Sequence, residues 1–294
     1  MNAIAREEWT LGGHGGLELF ARSWLPKGPP RDVVVIAHGY GEHGDRYANV
    51  VERLVPAGYA VHAIDHRGHG RSGGRRALID RMDRVIDDLH GFVEQVRARG
   101  DNDRGASERG ASERGGAKVK LLGHSMGGSI ALGYALRYPQ DLSGLILSGP
   151  AVGGFVPLGQ RLVLRLLSAL APTMGTLALP ASAVSRDSAV VAAYERDPLV
   201  YHGKVPARTA GEMVAAAAAF PARAGEMRLP VLIQHGAQDK LIPLEPNREV
   251  YEALGSADKT VTIYEGLYHE IYNEPEHARV IDDLVAWLEA HPAG

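Results

Sequence analysis

An α/β fold with a mostly parallel central sheet flanked by helices is what three features of the sequence predict. From Val33 onward, short apolar runs alternate with amphipathic stretches, the rhythm of strands joined by crossover helices. Several of those runs are almost continuously apolar, as strands covered on both faces must be. The chain has 294 residues, 45% of them hydrophobic, enough to bury roughly three quarters of its unfolded surface around one large core.

The elements follow in order. A first strand over 7–11 and a second over 17–24 can hairpin across the glycine-rich segment 12–16. Six further strands are predicted over 33–37, 59–64, 119–123, 142–147, 231–234 and 260–264. Helical stretches lie at 47–56, 81–99, 126–138, 245–254 and 276–290. Two segments break the rhythm. Residues 100–117 carry Arg-Gly-Ala-Ser-Glu twice, at 104–108 and 109–113, with no apolar side chain able to anchor them; this predicts a disordered surface loop. Residues 151–229, between the sixth and seventh strands, are too long for a plain crossover and hold helical patterns of their own.

Within that insertion, 161–171 is mostly aliphatic, with Arg161, Arg165 and Ser168 as a narrow polar stripe at helical spacing. A fully buried helix and a cap over an apolar pocket are the two readings. The cap is favoured, because an insertion at this point has nowhere else to pack. The expected organisation is a core of residues 1–150 and 230–294 with a helical cap at 151–229.

Composition narrows the function. The 32 basic and 35 acidic residues are interspersed and leave a net charge of −3, which gives no reason to expect nucleic acid as a partner. With no cysteine, disulfides, thiolate metal sites and a cysteine nucleophile are excluded. The first residues lack the apolar stretch of a secretory signal, and no apolar run reaches the length of about 18 residues that spans a bilayer. A cytoplasmic protein is expected.

Gly123-His124-Ser125-Met126-Gly127 is a G-x-S-x-G pattern with a strand before it and a helix-compatible stretch after it. In that setting the strand reverses sharply into the helix and leaves the serine hydroxyl exposed on a strained turn. Ser125 is the predicted nucleophile. Serine needs a base within hydrogen-bond reach, and such elbows run nucleophile, acid, base along the chain. Of the later histidines, only His269 sits in a loop at the carboxyl edge of the sheet, where catalytic groups of open α/β sheets gather. Asp239, just past the seventh strand, is the acid expected to orient it, with Glu265 a weaker rival in the histidine loop. The backbone amides of Met126 and of Tyr40, in His38-Gly39-Tyr40-Gly41-Glu42-His43, are the expected oxyanion donors. Asp65-His66-Arg67-Gly68-His69-Gly70-Arg71-Ser72 crowds charge and histidine but offers no ligand pair spaced on a regular element, so no metal is expected.

These residues together resemble the monoacylglycerol lipase and lysophospholipase branch of the α/β-hydrolases. The likeness is carried by His38-Gly39-x-Gly41-Glu42-His43 with Arg46-Tyr47, by the Asp65–Ser72 run and by the elbow extended to Gly128. Asp197-Pro198-Leu199 matches as well, as does Asp258-Lys259-Thr260 leading to Ile263-Tyr264-Glu265-Gly266-x-Tyr268-His269. It runs from about Leu17 to Trp287. The resemblance implies the α/β-hydrolase fold with a cap after the sixth strand, and hydrolysis of a single acyl ester of glycerol without a cofactor. It also implies Glu42, Arg46 and Tyr194 near the glycerol head group, and a monoacylglycerol as the small lipid partner. The segment Glu270-Ile271-Tyr272-Asn273-Glu274-Pro275 resembles bacterial rather than animal members. The apolar side of such a cap would rest on a membrane surface. A lysophospholipase, a broad-range esterase and an aminopeptidase are alternatives on the same scaffold, although no carboxylate cluster for a substrate amine is identifiable. From another class, a ligand-binding protein without turnover is the alternative.

Overall fold

Every residue of β3 (Asp32–Ala37), β4 (Tyr59–Ile64), β5 (Val119–His124) and β7 (Val231–Gly236) is buried, which is what apolar runs without alternation require. The computed structural model describes residues 4–103, 118–154 and 156–293. The remaining strands are β1 (Ala5–Gly12), β2 (Glu18–Leu25), β6 (Leu142–Ser148) and β8 (Lys259–Tyr264), and the eight lie in the order β1-β2-β4-β3-β5-β6-β7-β8. β1 pairs with β2, and β2 with β4, in antiparallel register; all other pairs are parallel.

The pleat divides the core between two faces. Along β3, Val33, Val35 and Ala37 join one cluster with Leu121 and Ile130, and Val34 and Ile36 join another with Ile146, Ile281 and Trp287. Helices α2 (Met82–Asp103) and α3 (Met126–Arg137) cover the first face, and α1 (Ala48–Leu54) and α8 (His277–Ala290) the second. α7 (Leu244–Ala253) follows β7. Helix α2 continues through Asp103 rather than ending at Arg99: Gly100 costs a helix about 1 kcal/mol, and each further residue adds a backbone hydrogen bond. Residues 104–117, which hold the duplicated pentapeptide, lie outside the described residues.

Between β6 and β7 run α4 (Leu158–Leu170), α5 (Ser188–Arg196) and α6 (Ala207–Arg223). The insert is tied to the loops that follow β3 and β4. Thr209 Oγ1 donates to the Ala77 carbonyl at 2.9 Å and accepts from the Ile79 amide at 2.8 Å, and the Met82 amide donates to Glu212 at 2.9 Å. The Tyr201 amide donates to the Gly41 carbonyl at 2.7 Å, and His43 Nε2 donates to Asp197 Oδ2 at 2.8 Å. Helix α4 is not a buried helix. Leu158, Leu162, Leu166 and Leu170 are 58–76% exposed, whereas Ser168 of the expected polar stripe is buried. Ser168 fits against Gly211 of α6, where an added Cβ would lie 2.9 Å from its Oγ, so the small residue faces inward and the leucines face out.

Four histidines are sealed in this core near β3 and β4: His38, His62, His66 and His69. The His38 ring packs 4.3 Å from that of His66, donates through Nδ1 to the Gly39 carbonyl at 2.7 Å and accepts the His66 amide on Nε2 at 2.9 Å. Burial pushes His62 and His66 down to about 3 and His69 to about 4, and holds His38 well below 6.5. In the unfolded chain they titrate near 6.5, so the unfolded state takes up protons that the folded state refuses as pH falls below that value. Stability is therefore full above about pH 7 and drops between pH 7 and 5, before ordinary carboxylates titrate. Urea unfolding across that range should show a steadily falling midpoint; a flat one contradicts neutral buried histidines.

Candidate active site

At the junction of β5 and α3, Ser125 has φ 55° and ψ −118°, a conformation sparsely populated by residues with a side chain. The glycines of the pentapeptide make the reversal possible. A Cβ on Gly123 would come within 2.3 Å of the Gly127 carbonyl oxygen, and one on Gly127 within 2.0 Å of the Ala37 carbonyl oxygen. Hydrogen bonds pin the turn: the Ser125 amide donates to the Ser148 carbonyl at 3.0 Å, and the Ser125 carbonyl accepts from the Ala151 amide at 3.0 Å.

His269 and Asp239 stand on the loops after β8 and β7. Both are buried, and His269 Nδ1 donates to Asp239 Oδ2 at 2.6 Å, which leaves Nε2 as the free acceptor. Asp239 Oδ1 accepts the amides of Leu241 at 2.9 Å and Ile242 at 2.8 Å. Burial favours the neutral acid, but the neighbouring His269 and these hydrogen bonds outweigh it and hold the Asp239 carboxyl well below the usual carboxylate range. Burial likewise disfavours imidazolium, yet Asp239, with Glu270 and Glu42, raises His269 above 6.5. Gly149, at φ 46°, lets both groups approach: an added Cβ would sit 3.3 Å from Asp239 Oδ2 and 3.3 Å from His269 Nδ1. Glu265, the rival acid, is exposed.

The loop after β3 crosses the elbow. A Cβ on Gly39 would lie 3.3 Å from Ser125 Cβ. Its amide donates to Glu42 Oε1 at 2.6 Å, an oxygen that also accepts the Tyr47 hydroxyl at 2.9 Å. Among the described residues, the next amide, that of Tyr40, donates to no protein acceptor. Met126 opens α3, so its amide has no acceptor within the helix.

Behind this loop, Arg46 joins two carboxylates. Its Nε donates to Glu42 at 3.1 Å and its Nη2 to Glu270 at 2.5 Å, while the guanidinium lies 4.7 Å from the Tyr194 ring centre. Asn273 donates to the same Glu270 oxygen at 2.9 Å. Burial, then the charge of Glu270, raises the Glu42 carboxyl, while Arg46 and the Gly39 amide pull the other way.

A cavity of about 230 Å³ gathers these groups. Ser125, His269, Tyr40, Glu42, His124, Tyr194 and Glu270 line it, and Leu177, Leu179, Val205, Ala210, Met213 and Leu241 make the rest of its wall apolar. Asp239, Met126 and Arg46 stand outside that lining. Two ionisable residues of the lining carry no role in the sequence reading: His124, whose ring packs 4.6 Å from that of His269, and Glu270. Nor did the sequence reveal a carboxylate pair, which the fold makes by bringing Glu42 and Glu270 to one wall. The only local signal was a glutamate directly before the apolar pair Ile271-Tyr272; its partner lies in another loop.

Residues 28–276 match the model of the serine aminopeptidase S33 family. Among curated relatives, a monoacylglycerol lipase of Mycolicibacterium smegmatis is 40% identical over 99% of this chain and 100% of its own length. The human monoglyceride lipase is 30% identical over 95% of this chain and 89% of its own. Among solved structures, the monoacylglycerol lipase of Paleococcus ferrophilus superposes with a TM-score of 0.77 at 27% identity, over 98% of this chain and 99% of that one. With this sheet order and these matches, the chain belongs to the serine aminopeptidase S33 family and is a serine hydrolase of the α/β-hydrolase fold.

Proposed function

We propose that the protein cleaves monoacylglycerol to fatty acid and glycerol through an acyl-enzyme on Ser125, with His269 as general base and Asp239 as the acid that orients it. The observation that carries the reading is the His269–Asp239 hydrogen bond of 2.6 Å at an apolar cavity that Ser125 also lines. The lipase relatives support the substrate class.

The steps follow from the groups present. Ser125 Oγ adds to the ester carbonyl carbon as its proton passes to His269 Nε2, and Asp239 stays ionised to stabilise the imidazolium. The oxyanion is met by the Tyr40 and Met126 amides. The bond to the glycerol oxygen breaks, and His269 returns the proton to that oxygen. Water then gives a proton to His269 as its oxygen joins the acyl carbon, and Ser125 departs with the proton restored.

In this reading residues 151–229 cap the site, and Met213, Leu177 and Leu179 hold the acyl chain. No helix among the described residues is long and apolar enough to cross a membrane. Instead α4 would lie on a lipid surface, its leucines outward and Arg161 and Arg165 beside them. One feature fits the aminopeptidase alternative: Glu42 and Glu270 form the carboxylate pair that a substrate amine would seek. Arg46 already occupies that pair.

Ser125→Ala should abolish fluorophosphonate labelling and lower monoacylglycerol turnover by a factor on the order of 10⁶. A variant that keeps its turnover ends the reading, and faster cleavage of lysophospholipid or of an aminoacyl arylamide than of monoacylglycerol would replace the substrate. Because His269 must be neutral to act as base, kcat/KM should fall on the acid side through an ionisation above 6.5. Glu270→Gln removes a negative charge that favours imidazolium, so that limb should move to lower pH. A limb that stays put refutes the electrostatic role of Glu270. Replacing Leu162 and Leu166 together by aspartate should cut binding to phosphatidylcholine vesicles several-fold, and undiminished cosedimentation would remove α4 as the contact.

A further inference from the structure

Residues 38–43 and 197–199, two stretches that carry the family resemblance, meet in the structure where the insert touches the loop after β3. That loop is held unevenly. Its first part is fixed by the core: His38 Nδ1 donates to the Gly39 carbonyl at 2.7 Å, and the Gly39 amide donates to Glu42 Oε1 at 2.6 Å. Its end is fixed as well, by the Gly44 amide on Asp65 Oδ1 at 2.9 Å. The apex is different. Among the described residues, the backbone of Tyr40 and Gly41 makes a single hydrogen bond, from the Tyr201 amide to the Gly41 carbonyl at 2.7 Å. The donor of that bond belongs to the insert.

We infer that segment 197–201 of the insert is a strap that positions the Tyr40 amide for the oxyanion, with Asp197 as its positioning residue. The inference rests on the acyl-enzyme reading and gives the insert a part in the chemical step, beyond walling the acyl chain. Asp197 does two things at once. Its Oδ1 accepts the Leu199 amide at 2.8 Å, and its carbonyl accepts the Val200 amide at 3.2 Å, which folds the strap into a turn. Its Oδ2 accepts His43 Nε2 at 2.8 Å, two residues past Gly41, which ties that turn to the loop. Arg76 Nη2 adds an anchor from the loop after β4, donating to the Leu199 carbonyl at 2.6 Å. Gly41 fits closely under the strap: it has φ 78°, and an added Cβ would lie 3.3 Å from the Tyr201 carbonyl oxygen.

Peptide geometry connects these bonds to the donor. Among the described residues every peptide is trans, so each N–H points opposite to the carbonyl of the same peptide. With the Gly39 carbonyl bonded to His38, the Tyr40 amide must point away from that histidine. The core thus fixes the peptide before Tyr40 and the strap fixes the one after Gly41. An oxyanion donor has to be held within about 0.5 Å and 10–20° of its productive place, and a carbonyl anchored on each side supplies that hold.

The test sets p-nitrophenyl acetate, whose acyl group is too short to need a wall, beside 1-monolauroylglycerol. Asp197→Ala should lower kcat by about 10- to 100-fold on both esters, with KM for the acetate unchanged. Asp197→Asn should keep most of the turnover. Its Oδ1 can accept the Leu199 amide, and its Nδ2 can donate to His43 once that ring carries its proton on Nδ1. A lauroyl trifluoromethyl ketone, whose adduct on Ser125 bears the oxyanion, should bind Asp197→Ala more weakly in step with the lost kcat/KM. The ether 1-O-dodecylglycerol should keep its inhibition constant. Should Asp197→Ala fail to fold, Tyr201→Pro deletes the strap amide and Tyr201→Ala keeps it, so the same loss is expected in the first relative to the second. Acetate turnover at the wild-type level, or a loss confined to the lauroyl ester, overturns the inference and leaves the insert as a wall. Acetate hydrolysis surviving in Ser125→Ala refutes the acyl-enzyme reading itself, so the two failures are told apart.

Discussion

The contact on which the rest of the site depends is the one between Gly127 and the Ala37 carbonyl, where α3 starts against the end of β3. A side chain there would overlap the carbonyl, with a Cβ only 2.0 Å from its oxygen. The closeness has two consequences at once. It forces the reversal that holds Ser125 at φ 55°, and it delivers the loop following β3 directly over the serine. Ser125 and the loop after β3 are thus placed by a single steric fact. The strain is carried by the packing of α3, whose Met126, Ile130, Ala131 and Leu132 are fully buried.

Electrostatics organise the second half of the site. Two buried carboxylates, Glu42 and Glu270, share one guanidinium, so the cluster carries excess negative charge beside His269. A buried ion pair is weak evidence for stability, because desolvation consumes much of the Coulomb gain; what Arg46 provides is a fixed link. Glu42 holds the Gly39 amide in the loop after β3, and Glu270 adjoins His269, so the bridge connects the loop over Ser125 to the loop that carries His269. It also divides the histidines of the site by charge: the carboxylates raise His269, while burial and then His269 itself push its neighbour His124 down. One imidazole is made basic and the one packed on it stays neutral.

How far the sequence revealed this follows from the range of each interaction. Strands β3 to β8 were legible because their signal is local: apolar runs bounded by turn residues. The elbow was legible because its glycines, its serine and the flanking strand and helix fall within a few positions. His269 and Asp239 were legible as residues at one edge of a parallel sheet, which is a topological rule rather than a contact. Glu270 was not, since nothing in Glu270-Ile271-Tyr272 tells that a guanidinium from the loop after β3 will meet it. Nor was the orientation of α4: an aliphatic helix with one small-polar stripe can turn either face inward, and the choice depends on a distant residue, Gly211 of α6, where an added Cβ would lie 2.9 Å from Ser168 Oγ.

That choice bears on how the insert is built. A row of leucines in water is unfavourable, and an exposed apolar patch of this kind marks an interaction surface more often than an accident. The fold tolerates it because α4 does not hold the insert in place. Helix α6 does, through Thr209 and Glu212 on the loop after β4, and the same helix supplies Ala210 and Met213 to the cavity wall and Gly211 to the seat of α4. Anchor, pocket wall and seat therefore fall on neighbouring positions of one helix. The apolar surface that α4 presents outward and the apolar wall of the cavity are therefore both fixed by one helix, so a change in α6 would disturb the two together.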